Sequence, residues 1–84
     1  MKRYLIIALR KSSYCAEAGA AHRVFIDDLR AQGRIEMTGG FSDASGGAYL
    51  LQAASLEEAN AIVQSDPLVR HDASTVTLYE WNTR

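Results

Sequence analysis

His22 and Asp66 are the residues of this chain whose types and settings best suit proton transfer. His22 lies on the apolar stripe Ala18-Ala21-His22-Phe25-Leu29 of a predicted helix. At about 100° per residue it points within about 20° of Leu29 and about 60° of Phe25, so its imidazole faces the sheet, not the solvent. A ring held there needs a polar partner. Asp66, in Ser65-Asp66-Pro67, is the candidate despite its distance in sequence. A carboxylate beside the ring would orient it and stabilise its protonated form, which is the arrangement of a general acid–base group.

Other residues invite chemistry less directly, and each has an ordinary structural role beside the functional one. His22 itself would serve as a core histidine bonded to a backbone carbonyl, and Asp66 as a cap on the turn before Pro67. Gly39-Gly40 reads as a hairpin turn needing positive φ, or as amides lining a pocket and donating to a substrate oxyanion. Arg10 reads as a solvated charge at a strand end, or as a holder of a substrate carboxylate. Cys15 is a weak nucleophile candidate, because its seven-residue spacing from His22 across a loop makes no geometric case. His71-Asp72 reads as a surface loop; the chain shows no ligand spacing that would make it a metal site.

The elements that must position these groups alternate between strand and helix periodicity. Residues 3–9 form a strand apolar on both faces, Tyr4, Ile6 and Ala8 on one and Leu5, Ile7 and Leu9 on the other. A helix follows, starting between Ser13 and Gly19 and ending near Gln32, with Gly33 as its stop. Arg34–Thr38 is predicted as a second strand, Gly39-Gly40 with residues 42–47 as a long hairpin loop, and Ala48–Ala53 as a third strand. Ser55-Leu56-Glu57-Glu58 is a capping box opening a second helix that stops before Pro67. Thr75–Trp81 is a β-branched and aromatic fourth strand.

The order β-α-β-β-α-β in 84 residues points to one ferredoxin-like α+β domain over residues 1–84, a four-stranded antiparallel sheet with both helices on one face. Its topology gathers Arg10, His22, Gly39-Gly40 and Asp66 at one end. The other sheet face is apolar and has no cover within the chain, so a homodimer packed sheet to sheet is expected. Nine Lys and Arg against ten Asp and Glu recommend neither nucleic acid nor an anionic membrane as partner. A single cysteine excludes an internal disulfide and suits a reducing cytoplasm. The run Tyr4–Leu9 is too short for a signal or a membrane span.

Over essentially its whole length the chain resembles the YciI-like (YCII-related) family of the dimeric α+β barrel superfamily. The resemblance rests on Tyr4-Leu5-Ile6-Ile7, His22 followed by Phe25-Ile26-Asp27-Asp28-Leu29-Arg30-Ala31-Gln32-Gly33, Met37-Thr38-Gly39-Gly40, Ser55-Leu56-Glu57-Glu58-Ala59, Asp66-Pro67 and Tyr79-Glu80-Trp81-Asn82. It implies a dimer and a His-Asp site, carried here by His22 and Asp66, with elimination or related lyase-type acid–base chemistry. The chain departs from the family pattern at Gly39-Gly40, where Gly-Pro is frequent. It also departs at Ala18 or Gly19, where an Arg often precedes the His, and at Leu68 and His71, where an aromatic and a Gly are common. These departures bear on substrate, not fold.

Three functions follow as expectations. The first is a small dimeric enzyme, requiring no cofactor, in which His22 moves a proton on a small organic substrate, Asp66 orients the ring, and Arg10, Gly39 and Gly40 hold the substrate. The second is a non-catalytic module that binds a small molecule or serves as a scaffold. The third is a cofactor-independent monooxygenase-like protein. Fold alone does not separate them.

Overall fold

Every apolar strand must be covered on both faces or leave one bare, and this chain does both. The structure, a computed structural model, describes residues 1–84. The elements are β1 (Lys2–Arg10), α1 (Ala16–Ala31), β2 (Ile35–Gly40), β3 (Gly46–Ala53), α2 (Leu56–Gln64), α3 (Pro67–Arg70) and β4 (Ser74–Glu80). They form one four-stranded antiparallel sheet in the order β2-β3-β1-β4. This is the ferredoxin-like α+β arrangement expected, with the helices on one face.

Alternation along the strands sorts the side chains. Tyr4, Ile6, Tyr49, Leu51 and Ala53 point under the helices and meet Ile26, Leu29, Ala59 and Val63 in the main core. A smaller cluster of Ala8, Ala18, Leu68 and Ala73 closes the end where β1 finishes. On the opposite face Leu5 pairs across to Leu50 and Tyr79, and Met37 to Leu50. Leu9, Met37, Phe41, Tyr79 and Trp81 remain exposed.

Four local readings are corrected. Gly39 and Gly40 are not a hairpin turn: they are the last residues of β2, paired with Ala48 and Gly47, and neither has positive φ. The register runs on because a Cβ on Gly47 would lie 2.4 Å from the Gly39 carbonyl oxygen, so only bare backbone lets β2 and β3 approach so closely here. The loop shrinks to residues 41–45, turned by Ala44 at φ 62° and by Asp43, whose carboxylate accepts from the Ser45 amide at 2.9 Å. Pro67 does more than stop α2. It occupies the first turn of α3, a helix the periodicity did not predict, because proline suits that position once Asp66 caps it. The buried side of α1 consists of Ala18, Gly19, Ile26 and Leu29, so Ile26 replaces Phe25 at the centre of the stripe and Phe25 is half-buried at its margin.

The α2 cap also differs in detail. Ser55 Oγ accepts from the Glu58 amide, but the Glu58 carboxylate reaches back to the Ala54 amide at 3.0 Å and also accepts from Arg34 at 2.7 Å. The amide first, and then Arg34, hold the Glu58 carboxyl below its ordinary 4.5. A depressed folded pKa stabilises the fold above the unfolded value and loses that contribution as pH falls through the folded one. Glu58→Gln is therefore expected to lower Tm at neutral pH. The gap to the unaltered chain should close below about pH 4.5, as thermal melts across that range will show; a gap independent of pH contradicts the assignment.

Candidate active site

Asp66 owes its place to local rules. As N-cap of α3 it accepts from the Leu68 amide at 2.9 Å through Oδ1. The same oxygen accepts from His22 Nδ1 at 2.8 Å, and Oδ2 accepts from the Tyr49 hydroxyl at 3.0 Å. The carboxyl is fully buried, whereas the His22 side chain keeps 20% of its surface exposed. Both structural roles weighed for Asp66 thus coexist: it caps a helix and it partners His22.

A carboxylate can only accept, so beside an ionised Asp66 Nδ1 carries the proton, and in the neutral ring the lone pair is then on Nε2. Nε2 has no partner within the chain, on a ring that lines the cleft. Tyr49, packed at 5.8 Å between ring centroids, braces the pair. Burial, and after it the neighbouring Asp66 charge, push the Tyr49 hydroxyl far above its ordinary pKa. It stays a donor at any physiological pH.

The cleft has a volume of about 410 Å³ and is bounded by β1, β2, β3, the start of β4 and α1. Arg10, Gly39 and Gly40 line it together with His22. Asp66 lies behind the ring, outside the lining. Arg10 lies with its guanidinium carbon 4.2 Å from the centre of the Tyr14 ring, a cation–π contact. Tyr14 in turn packs against Gly19: a Cβ there would fall 2.2 Å from its hydroxyl oxygen, so a larger residue would make the ring shift. Cys15 stands exposed at the N-cap of α1, and His71 ends α3; neither lines the cleft. No group of three or more His, Cys, Asp or Glu is placed to hold a metal ion.

Tyr49, Tyr14 and Ser74, and the rim residues Arg23, Asp27 and Arg30, join the site without having stood out in the sequence. Two signals were available. A tyrosine alternating with Leu51 and Ala53 on a core-facing strand needs a partner for its hydroxyl, and a glycine inside a helix costs about 1 kcal/mol relative to alanine, which asks for a packing reason.

The chain belongs to the YCII-related domain family, whose pattern it matches over residues 3–82. It is 44% identical to the uncharacterized protein YjpA of Bacillus subtilis strain 168 over 84 residues, all of this chain and 99% of that one. Among solved structures it is similar to TftG, the 5-chloro-2-hydroxyhydroquinone dehydrochlorinase of Burkholderia phenoliruptrix AC1100, in complex with 2,5-dihydroxybenzoquinone. That match has a TM-score of 0.74 at 19% identity, covering 98% of this chain and 95% of that one. It is similar also to MtbAldR, with a TM-score of 0.64 at 15% identity, covering all of this chain but 55% of that one. Both likenesses are likenesses of fold alone. No helix is long and apolar enough to cross a membrane.

Tyr49→Phe leaves Asp66 Oδ2 buried without its donor. Removing one hydrogen bond to a buried charged group costs about 2 kcal/mol, so chemical denaturation should show a loss of that order with the fold retained. An unchanged midpoint would mean the hydroxyl does not hold the carboxylate.

Proposed function

We propose that this protein is a dimeric acid–base catalyst acting on a small organic substrate, with His22 as the proton-transferring group. The observation that carries this reading is the 2.8 Å contact of His22 Nδ1 with the wholly buried Asp66. It leaves Nε2 as the basic nitrogen on the cleft. A substrate C–H or O–H delivered to Nε2 loses its proton to the ring, and Asp66 compensates the imidazolium that forms. The Arg10 guanidinium is suited to the negative charge that develops on the substrate, while Gly39 and Gly40, strand-paired with Ala48 and Gly47, contribute backbone to the side of the cleft. Loss of a leaving group from the resulting anion completes an elimination. The dehydrochlorination named for TftG, a protein of like fold, is a reaction of this kind.

Proton exchange tests the reading whatever the eventual product. A panel of small enolisable and phenolic compounds, 5-chloro-2-hydroxyhydroquinone included, is incubated with the protein in heavy water and followed by proton NMR. Exchange above the solvent rate is expected for at least one compound. His22→Ala should lower it by about 10²–10⁴-fold, the usual worth of general acid–base catalysis, and Asp66→Asn by about tenfold or more. Compounds that bind the cleft yet never exchange faster than in buffer would leave a binding module in place of an enzyme.

The dimer is proposed to form through the open sheet face. Leu5, Met37, Phe41, Leu50 and Trp81 line one continuous apolar groove there, with Tyr79 and Leu9 exposed beside it, a surface that a soluble monomer rarely leaves wet. Sedimentation at micromolar concentration should give twice the 9.2 kDa chain mass. Met37→Glu with Tyr79→Glu should give a folded monomer. A parent chain that sediments as a monomer removes the proposal.

A further inference from the structure

Taking the cleft as a small-molecule site, as the proposed function does, we infer that its ligand is a flat organic carboxylate. Its anionic group is held by Arg10 and Ser74, and its body lies along the bare backbone of β2 and β3. The inference deepens that reading and concerns recognition, not proton transfer.

Charge is the first argument. The lining contains three arginines, Arg10, Arg23 and Arg30, and one carboxylate, Asp27. None of these arginines belongs to any ion pair of the chain. With His22 neutral the lining carries a net +2, or +1 if the buried Asp66 behind it is counted, on a chain whose net charge is −1. Positive charge is concentrated here against the trend of the whole molecule. A low-dielectric cleft of one sign draws ligands of the other.

Ser74 locates the anion within that field. It pairs with Arg10 across β1 and β4, so the two side chains stand next to one another on the face under the helices. Ser74 is only 6% exposed, lines the cleft, and its Oγ has no hydrogen-bond partner within the chain. A buried hydroxyl left unpaired is destabilising, and a ligand oxygen placed between it and the guanidinium would relieve that. Arg10 is pre-set for the task. Its contact with Tyr14 limits where the planar fork can swing, and that fork matches the two oxygens of a carboxylate better than it matches a single hydroxyl.

Shape supplies the rest of the ligand. Gly39, Gly40, Gly46 and Gly47 all line the cleft, so much of its β2–β3 side is bare backbone, with Thr38, Ala48 and Tyr49 beside it. A stretch of peptide planes accepts a flat face closely. The volume of about 410 Å³ sits at the lower end of the range of about 300–1,000 Å³ found for small-molecule sites, enough for one ring and its substituents.

Calorimetric titration of the full chain with benzoate, benzamide and phenyl phosphate tests the assignment. Benzoate should bind, benzamide at least about tenfold more weakly, and phenyl phosphate no more tightly than benzoate. Arg10→Gln should weaken benzoate about tenfold and leave benzamide unchanged. Ser74→Ala should weaken benzoate by about three- to tenfold without lowering Tm, since it deletes an unpaired hydroxyl; a purely structural role would do the reverse. The proton-transfer reading is tested by exchange in the His22→Ala and Asp66→Asn proteins and this one by benzoate binding to the parent, Arg10→Gln and Ser74→Ala proteins, so the two failures are seen in different variants and different measurements. No measurable benzoate binding, equal affinity for benzoate and benzamide, an indifferent Arg10→Gln protein, or a preference for phenyl phosphate overturns the inference.

Discussion

A carboxylate taken fully out of water loses several kcal/mol of solvation, and the fold can keep Asp66 there only by supplying donors to both oxygens. Those donors come from three elements: His22 from α1, Tyr49 from β3, and the Leu68 amide from α3, which Asp66 itself caps. One buried charge therefore fixes the position of a helix relative to the sheet and of both relative to the α2–α3 junction. The same requirement orients both rings. Because Oδ1 accepts from Nδ1, the other ring nitrogen is the one without a partner in the chain, and because Oδ2 accepts from the tyrosine hydroxyl, Tyr49 is kept as a donor.

Around that anchor the cleft is built by omission as much as by contact. Gly19 leaves room for the Tyr14 hydroxyl, Tyr14 supports Arg10, and the glycines of β2 and β3 leave backbone bare beside Thr38 and Tyr49. The sheet divides its two faces sharply. Beneath the helices it carries the core and the site; on the reverse it carries Leu5, Met37, Leu50 and Trp81. A site at one end of a small domain thus lies next to an apolar face on the reverse of the sheet, and Thr38, Gly39, Gly40, Ala48 and Tyr49 border both.

The strands, the main helices and their order were legible because burial imposes period two on strands and period near 3.6 on helices, and both patterns run almost without interruption from Lys2 to Glu80. The convergence of Arg10, His22, Gly39, Gly40 and Asp66 at one end was legible too, since right-handed crossovers leave a βαββαβ chain little choice. What misled was local. Gly39-Gly40 looks like a turn, because glycine pairs usually are, but here the pair continues β2, and the glycine that close strand approach demands is Gly47 opposite it. Pro67 looks like a stop, because proline ends helices, but it also begins them when the residue before it caps. The partnership of Tyr49 with Asp66 left only the weak signal of a core-facing hydroxyl.

By itself, then, the order of residues determined the element types, the ferredoxin-like topology and the identities of the two groups of the candidate site, since these depend on periodicity, capping chemistry and chain handedness. Tertiary structure decided which nitrogen of His22 is tied down, that Tyr49 completes the arrangement, that Ser74 stands unpaired next to Arg10, and that three arginines share one cleft. Such facts depend on distances between residues remote in sequence, which only the packed chain defines.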